Sequence, residues 1–307
     1  MRGEIHLDCD VLIVGGGPSG LSAALVLGRA KRSVIVIDEG RPRNAVTRQS
    51  HGFLTRDNIK PMELRQIARE QLQTYPVNIL DDTVVEIETR QDWFVIHSKK
   101  NKIHAKKVIF ASGLKEHLPE IEGLQEAYGV SVFSCPYCDG WEHRDQPLAI
   151  IGNGENLFTY CKLISNWSED LIVLSDGPTI LSIEEQQQLK DRNITLIEEP
   201  IKELKSIDGR LTEITFEEND SIQRTAAFLL NTYATQFTTL PEKLGVELNE
   251  KGGYQTKRHG RTSTDGLYII GDAAKRFTGL IGAASEGYET GIAVNLDLIN
   301  EEWDEKS

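Results

Sequence analysis

The tightest constraint on this 307-residue chain lies near its start. Val11-Leu12-Ile13-Val14 is a short apolar run rich in β-branched residues, and Gly15-Gly16-Gly17-Pro18-Ser19-Gly20 follows without a break. Leu21 to Arg29 then reads as a buried helix, and Val34-Ile35-Val36-Ile37 as a second buried strand closing on Asp38-Glu39. Strand, glycine turn, helix and strand in that order make a βαβ unit. The three spaced glycines have separate tasks within it. Gly15 permits a tight turn, Gly17 lets backbone approach a pyrophosphate, and Gly20 lets the helix lie close to the strand, with the phosphate at the positive helix N-terminus. Asp38, about 20 residues beyond Gly15, stands where a carboxylate accepts hydrogen bonds from a ribose, and Glu39 is the neighbouring candidate. This part of the chain is built for a dinucleotide.

A related pattern recurs later. Leu148-Ala149-Ile150-Ile151 predicts a strand, Gly152-Asn153-Gly154 a tight turn, Glu155 to Asn166 a helix, and Leu171-Ile172-Val173-Leu174 a strand ending at Ser175-Asp176. Between the modules, Asn58 to Tyr75 predicts an amphipathic helix with Pro61 in its first turn and Leu64, Ile67, Ala68 and Leu72 on one stripe. Residues 83–110 predict a small antiparallel meander returning to a buried strand at Ala111-Ser112-Gly113. Asp208-Gly209 predicts a hairpin turn. The tail supplies a strand, Leu267-Tyr268-Ile269-Ile270, then Gly271-Asp272, then a long helix from Gly282 to Asn300. A closing strand and helix without a nucleotide turn of their own complete the first module. The fold class is therefore α/β, with two Rossmann-like, three-layer ββα nucleotide-binding domains, the second inserted into the first. The expected boundaries are 1–114 and 241–307 for the first domain and 115–240 for the second.

The chemistry centres on Cys135-Pro136-Tyr137-Cys138-Asp139-Gly140. Cys-x-x-Cys holds two sulfurs close enough to cycle between dithiol and disulfide, one attacking and the other resolving. Pro136 can open a helix that puts the sulfurs at its positive end. Asp139 is placed to shuttle a proton to or from a thiol. The competing readings are inert cysteines or a zinc site, for which Cys135, Cys138 and His143 would supply three of four ligands; no metal is expected. Cys9 and Cys161 are isolated and read as small buried residues. His51, in a loop after the first βαβ unit, is a candidate to lie over a cofactor ring. Gly271 and Asp272, at a strand end before a helix, are placed to hold the polar chain of a dinucleotide.

Lys and Arg number 34 against 47 Asp and Glu, a formal charge of −13. That surplus repels nucleic acid and anionic lipid, so neither is an expected partner. No run approaches the roughly 18 apolar residues of a membrane span, and the charged first ten residues do not form a signal peptide. With four sparse cysteines, a reducing cytoplasmic setting is expected.

Taken together, GGGPSG at the start, the Ala111-Ser112-Gly113 turn, CPYCDG in the second module and Gly271-Asp272 before the last helix resemble the low-molecular-weight thioredoxin reductases, FAD-dependent pyridine nucleotide-disulfide oxidoreductases. The resemblance covers nearly the whole chain. It implies FAD on the first module, bound in part by Asp272, and NADPH or NADH on the second, at Gly152 and Gly154. It implies a homodimer, a domain rotation, and a disulfide substrate, either a thioredoxin-like protein or a small molecule. Cys138 would face the flavin, Cys135 would attack the substrate, and Asp139 would be the acid/base.

The chain departs from the family at three places. Leu157 stands where a small residue usually ends the second glycine motif, so its bulk should hinder helix–strand approach. Asp176 stands where a basic cluster usually holds the NADPH 2′-phosphate, and Trp141-Glu142-His143 follows the redox motif. The pattern is also similar to the branch containing small-dithiol oxidases, although those often carry His at the position of Asp139. Three alternatives to the reductase follow: a dithiol oxidase using oxygen, a reductase fed by a non-nicotinamide donor such as ferredoxin, and a flavin redox sensor without turnover.

Overall fold

The structure is a computed structural model that describes residues 8–218 and 221–305. Residues 1–7, part of the segment read for a signal peptide, lie outside it. The chain divides into two compact units, Met1–Ala45 with Phe53–Lys115 and Thr235–Ser307, and Val46–Gly52 with Glu116–Ala234.

In the first unit, strands Val77–Asp81, Val34–Asp38, Cys9–Val14, Lys102–Phe110 and Leu267–Ile269 form a parallel sheet in that order. Alternate side chains of each strand face opposite sides. Val11, Ile13 and Ile109 pack under the helices, with Leu21, Leu27, Val294 and Leu298. Leu12, Phe110 and Ile269 pack against Ile87, Phe94 and Ile96 of an antiparallel meander. The unit thus has three layers, β on β on α. Lys102–Phe110 belongs to two of them: its first half pairs antiparallel with Phe94–Ser98 and its second half lies in the parallel sheet. The sequence pattern read these halves as separate runs. It gave no separate strand for Val77–Asp81, where Asn78 and Asp81 leave only Ile79-Leu80 as an adjacent apolar pair.

The second unit repeats the plan. Strands Thr195–Ile197, Leu171–Leu174, Leu148–Ile151, Ala226–Leu229 and Val132–Phe133 make a parallel sheet. One face packs on helix Leu157–Ile164, and the other on the antiparallel strands Ile201–Ile207 and Arg210–Phe216. Asp208 (φ 52°) and Gly209 (φ 75°) join those two strands. Two successive positive φ values are what a type I′ hairpin requires. Helix Ile183–Lys190, unforeseen from its polar sequence, opens with a capping box in which Ser182 and Glu185 satisfy each other's amides.

The links between the units fall at 45/46, 52/53, 115/116 and 234/235. Segment 46–52 lay within the first domain in the sequence reading; its contacts put it in the second unit. Residues 235–240, read into the second domain, lie in the first unit, where Thr235–Gln236 pairs antiparallel with Leu114–Lys115.

Candidate active site

The first glycine turn can be tested position by position. Gly15 has φ +108°, and a Cβ there would meet Ala111 O at 2.4 Å. A Cβ on Gly20 would meet Gly15 O at 2.0 Å, so the helix Pro18–Arg29 rests on the strand's end through bare backbone. Gly17 differs. Its backbone is extended (φ −80°, ψ −179°), which any residue can adopt, and nothing lies within 4 Å of its would-be Cβ. Gly17 caps a helix that has no side-chain cap, so amides at the helix N-terminus face open space. That space fits a pyrophosphate.

The two acids at the second strand's end divide their work. Asp38 is buried; its carboxylate accepts from Gly16 N at 3.1 Å, is bonded by Arg65, and lies 3.6 Å from Arg69. Arg65 also donates to Gly16 O at 3.2 Å. Asp38 therefore locks the glycine turn. Glu39, paired with Arg41, lines a cleft with Gly15, Asp38, Ser112 and Phe237. Arg65 escaped the sequence reading because it is a charged residue on the inward face of an otherwise amphipathic helix, Pro61–Leu72. Ser112 Oγ is buried in the cleft wall and has no hydrogen-bond partner among the described residues. An orphan hydroxyl and an acid–base pair in one cleft that begins at the glycine turn fit a bound dinucleotide such as FAD.

Gly271 (φ +70°) could not carry a Cβ, which would lie 2.8 Å from Ser19 Oγ. Asp272 opens the short helix Asp272–Lys275. Its carboxylate accepts from Arg43 Nη1 at 2.8 Å and from Thr278 N and Oγ1, each at 3.2 Å. Thus Gly15, Gly17, Gly20, Glu39, Gly271 and Asp272 all lie in the first unit, with Asp38 behind the turn.

In the second unit, Cys135 and Cys138 form a disulfide with Cα atoms 5.3 Å apart. Cys135 caps the single turn Pro136–Asp139, and Cys138 N and Asp139 N both donate to Cys135 O at 3.2 Å. Gly140 is needed because a Cβ would strike Pro136 O at 2.5 Å and the Trp167 ring at 2.8 Å. Tyr137 stands edge-on to Trp167 and is 75% exposed; Trp141, 66% exposed, lies under the Arg144 guanidinium.

Burial pushes the Asp139 carboxyl up to about 7; nearby His51 pulls it back and Glu142 adds to the rise. Burial also holds His143 below the ordinary imidazole range, against Glu142 and a bond to Gln146. His51, expected over a cofactor ring, sits in this unit, with Nε2 3.7 Å from Glu142 Oε1. Cys9 and Cys161 are free and buried, and burial pushes both thiols up to about 12, too high to ionise at neutral pH. Among the described residues, the groups close enough to share a metal are Glu86, Glu88 and His97, and they do not include the cysteine pair or His143.

The second glycine turn is built differently from the first. Helix Leu157–Ile164 begins three residues after Gly154, whereas the first helix begins directly after Gly17. Leu157 is the first helical residue and wholly buried, its N donating to Gly154 O at 2.9 Å. Its bulk is absorbed by a non-helical turn ahead of the helix. A Cβ on Gly152 (φ +136°) would meet Leu230 Cβ at 2.9 Å. Asn153 bridges to the following loop through Pro178 O at 2.8 Å and Ile180 N at 3.2 Å. Asp176 (φ 51°) is exposed and accepts from Ile201 N at 2.7 Å.

The model of the pyridine nucleotide-disulphide oxidoreductase family matches residues 9–291. A protein of Arthroderma benhamiae described as a probable thioredoxin reductase is 32% identical over 299 residues, spanning 86% of this chain and 74% of that one. Among solved structures, a thioredoxin reductase-like TrxB from Bacillus anthracis superposes with a TM-score of 0.91 at 38% identity, over 96% of this chain and 99% of that one. HlmI superposes at 0.92 and 30% identity, over 100% and 96%. A redox-active cysteine pair in one α/β unit and a dinucleotide turn in another define a flavoprotein disulfide oxidoreductase. The chain belongs to the pyridine nucleotide-disulphide oxidoreductases.

Two glycines separate ligand binding from folding. Gly20→Ala forces backbone apart and should lower stability by about 2 kcal/mol or more. Gly17→Ala should leave the apoprotein within about 1 kcal/mol of wild type while weakening FAD binding about tenfold or more. Thermal unfolding of the two apoproteins and FAD titration by fluorescence check both; equal FAD affinity in wild type and Gly17→Ala would refute the cradle.

Proposed function

We propose that this protein is a FAD-dependent thiol/disulfide oxidoreductase of thioredoxin reductase type, passing electrons from a nicotinamide donor to an external disulfide. The observation that carries this reading is the Cys135–Cys138 disulfide with the half-buried Asp139 beside it, in a chain whose other unit has a dinucleotide cleft. The relatives' names favour it over the oxygen-using oxidase, the ferredoxin-fed enzyme and the sensor. FAD, when bound, supplies the two-electron link between a nicotinamide and the cysteine pair. In the dithiol state, Cys135 Sγ attacks the substrate disulfide and Asp139 gives its proton to the departing sulfur. Cys138 Sγ then displaces the second substrate thiol, and the Cys135–Cys138 bond re-forms. Tyr137 and Trp141, exposed on either side of Cys138, offer the substrate an apolar rim.

The donor we assign is NADH rather than NADPH. Asp176 lies in the loop after strand Leu171–Leu174, and an acid repels a 2′-phosphate. We place the enzyme in a reducing cytoplasm, which suits the free Cys9 and Cys161; no helix among the described residues is long and apolar enough to cross a membrane. We further propose a homodimer formed through the last helix, Gly279–Asp304, where Ile281, Tyr288, Ile292, Leu296, Ile299 and Trp303 make an exposed apolar stripe at helical spacing.

Four measurements test these readings. Cys135→Ser and Cys138→Ser should abolish disulfide reduction with FAD still bound one per chain; full activity in either ends the relay. A carboxyl lifted to about 7 donates a proton only below that pH, so turnover of an alkyl disulfide should fall as pH rises through about 7. Asp139→Asn should lose that limb and slow turnover about 100-fold. Anaerobic flavin bleaching should be faster with NADH than with NADPH, and the reverse order would overturn the assignment. Light scattering should show wild type at twice the chain mass and Ile292→Glu/Leu296→Glu at the chain mass; a wild-type monomer rejects the dimer.

A further inference from the structure

Segment Val46–Gly52 leaves the first unit after Ala45 and rejoins it at Phe53, yet it packs as part of the unit that carries the cysteines. Two contacts hold it there. Gly129, with φ +80°, lies so close beneath it that a Cβ would be 2.6 Å from Val46 O. Arg48 Nη2 donates to Asp208 O at 3.1 Å. Near the end of this strap, His51 is mostly buried, with Nε2 3.7 Å from Glu142 Oε1. The charged and titratable groups acting on Asp139 are His51 from the strap and Glu142 from the turn after Pro136–Asp139.

Asp139 can give up one proton per exchange and must then regain it. A half-buried carboxylate regains it best from a neighbouring acid that itself reaches water. Resting on the function proposed above, we propose that the strap delivers His51 to the redox pair and that His51, oriented by Glu142, returns the proton to Asp139. The steps balance. Cys135 attacks as the thiolate: its Sγ–substrate S bond forms as the substrate S–S bond breaks, and the departing thiolate takes the Asp139 proton; the Cys138 thiolate then bonds Cys135 Sγ as the mixed disulfide breaks and the second substrate thiolate leaves. The His51 imidazolium reprotonates the Asp139 carboxylate, and neutral His51 takes a proton from solvent. His51 is a positioning and relay residue in this scheme; it does not touch the sulfurs.

The leaving group separates a relay from mere packing. An alkyl thiolate needs a proton to depart, whereas an acidic aryl thiol leaves as the thiolate. FAD-loaded enzyme, reduced with dithionite without oxygen, is mixed with excess hydroxyethyl disulfide or dithiobis-nitrobenzoate and followed through successive exchanges. His51→Asn should slow the alkyl disulfide about tenfold or more while leaving the aryl disulfide within about twofold, and added imidazole should restore His51→Gly toward wild type. Glu142→Gln, outside the strap, should show the same selectivity to a smaller degree and serves if the His51 variants do not fold. Equal slowing of both disulfides, or of neither, would overturn the relay. A wild-type enzyme inert to both would instead overturn the oxidoreductase reading beneath it.

Discussion

The first unit depends on backbone lying directly on backbone. Helix Pro18–Arg29 is held on both sides by positions with no room for a side chain: a Cβ on Gly20 would lie 2.0 Å from Gly15 O, and a Cβ on Gly287 2.0 Å from Ser19 O. Gly291 packs less tightly, a Cβ there lying 3.0 Å from Val26 Cβ and 3.1 Å from Ala23 O. The last helix is thereby fixed to the first across most of the chain's length, which makes the carboxy-terminal segment part of the dinucleotide module. Close approach also sets the chemistry, since it leaves the helix N-terminus and Gly17 open to a ligand.

Charge is handled differently in the two units. Around the first glycine turn, acids are matched: Asp38 with Arg65, Glu39 with Arg41, Asp272 with Arg43. Matched charges hold geometry. Around the cysteines, Asp139 has no such match among the described residues; burial and Glu142 raise its pKa toward neutrality while His51 opposes them. A carboxyl poised near the working pH is suited to proton transfer, and a salt-bridged one is not.

Much of this was legible in the chain. Spacing alone predicts a tight turn at Gly15 and close helix–strand packing at Gly20, and a Cβ at either would meet backbone within 2.4 Å. Cys-x-x-Cys spacing brings its sulfurs together through one helical turn, a purely local matter. Local pattern failed where a partner from elsewhere decides. Asp38 reads as a free acid at a strand end, and the sequence pattern does not show that Arg65, on a later helix, binds its carboxylate. Leu157 reads as an obstruction until the helix is seen to start at that residue.

The sequence by itself therefore determined the class of fold, the glycine turn and the cysteine pair, because each rests on residues close together and on the periods of strand and helix. Tertiary structure alone decided the company those residues keep. Nothing in His51-Gly52 says that the chain there runs with the cysteine unit, or that Glu142 lies 3.7 Å from the imidazole. Such pairings are set by long-range packing, here by Gly129 beneath Val46 and Arg48 on Asp208, which no short-range pattern encodes.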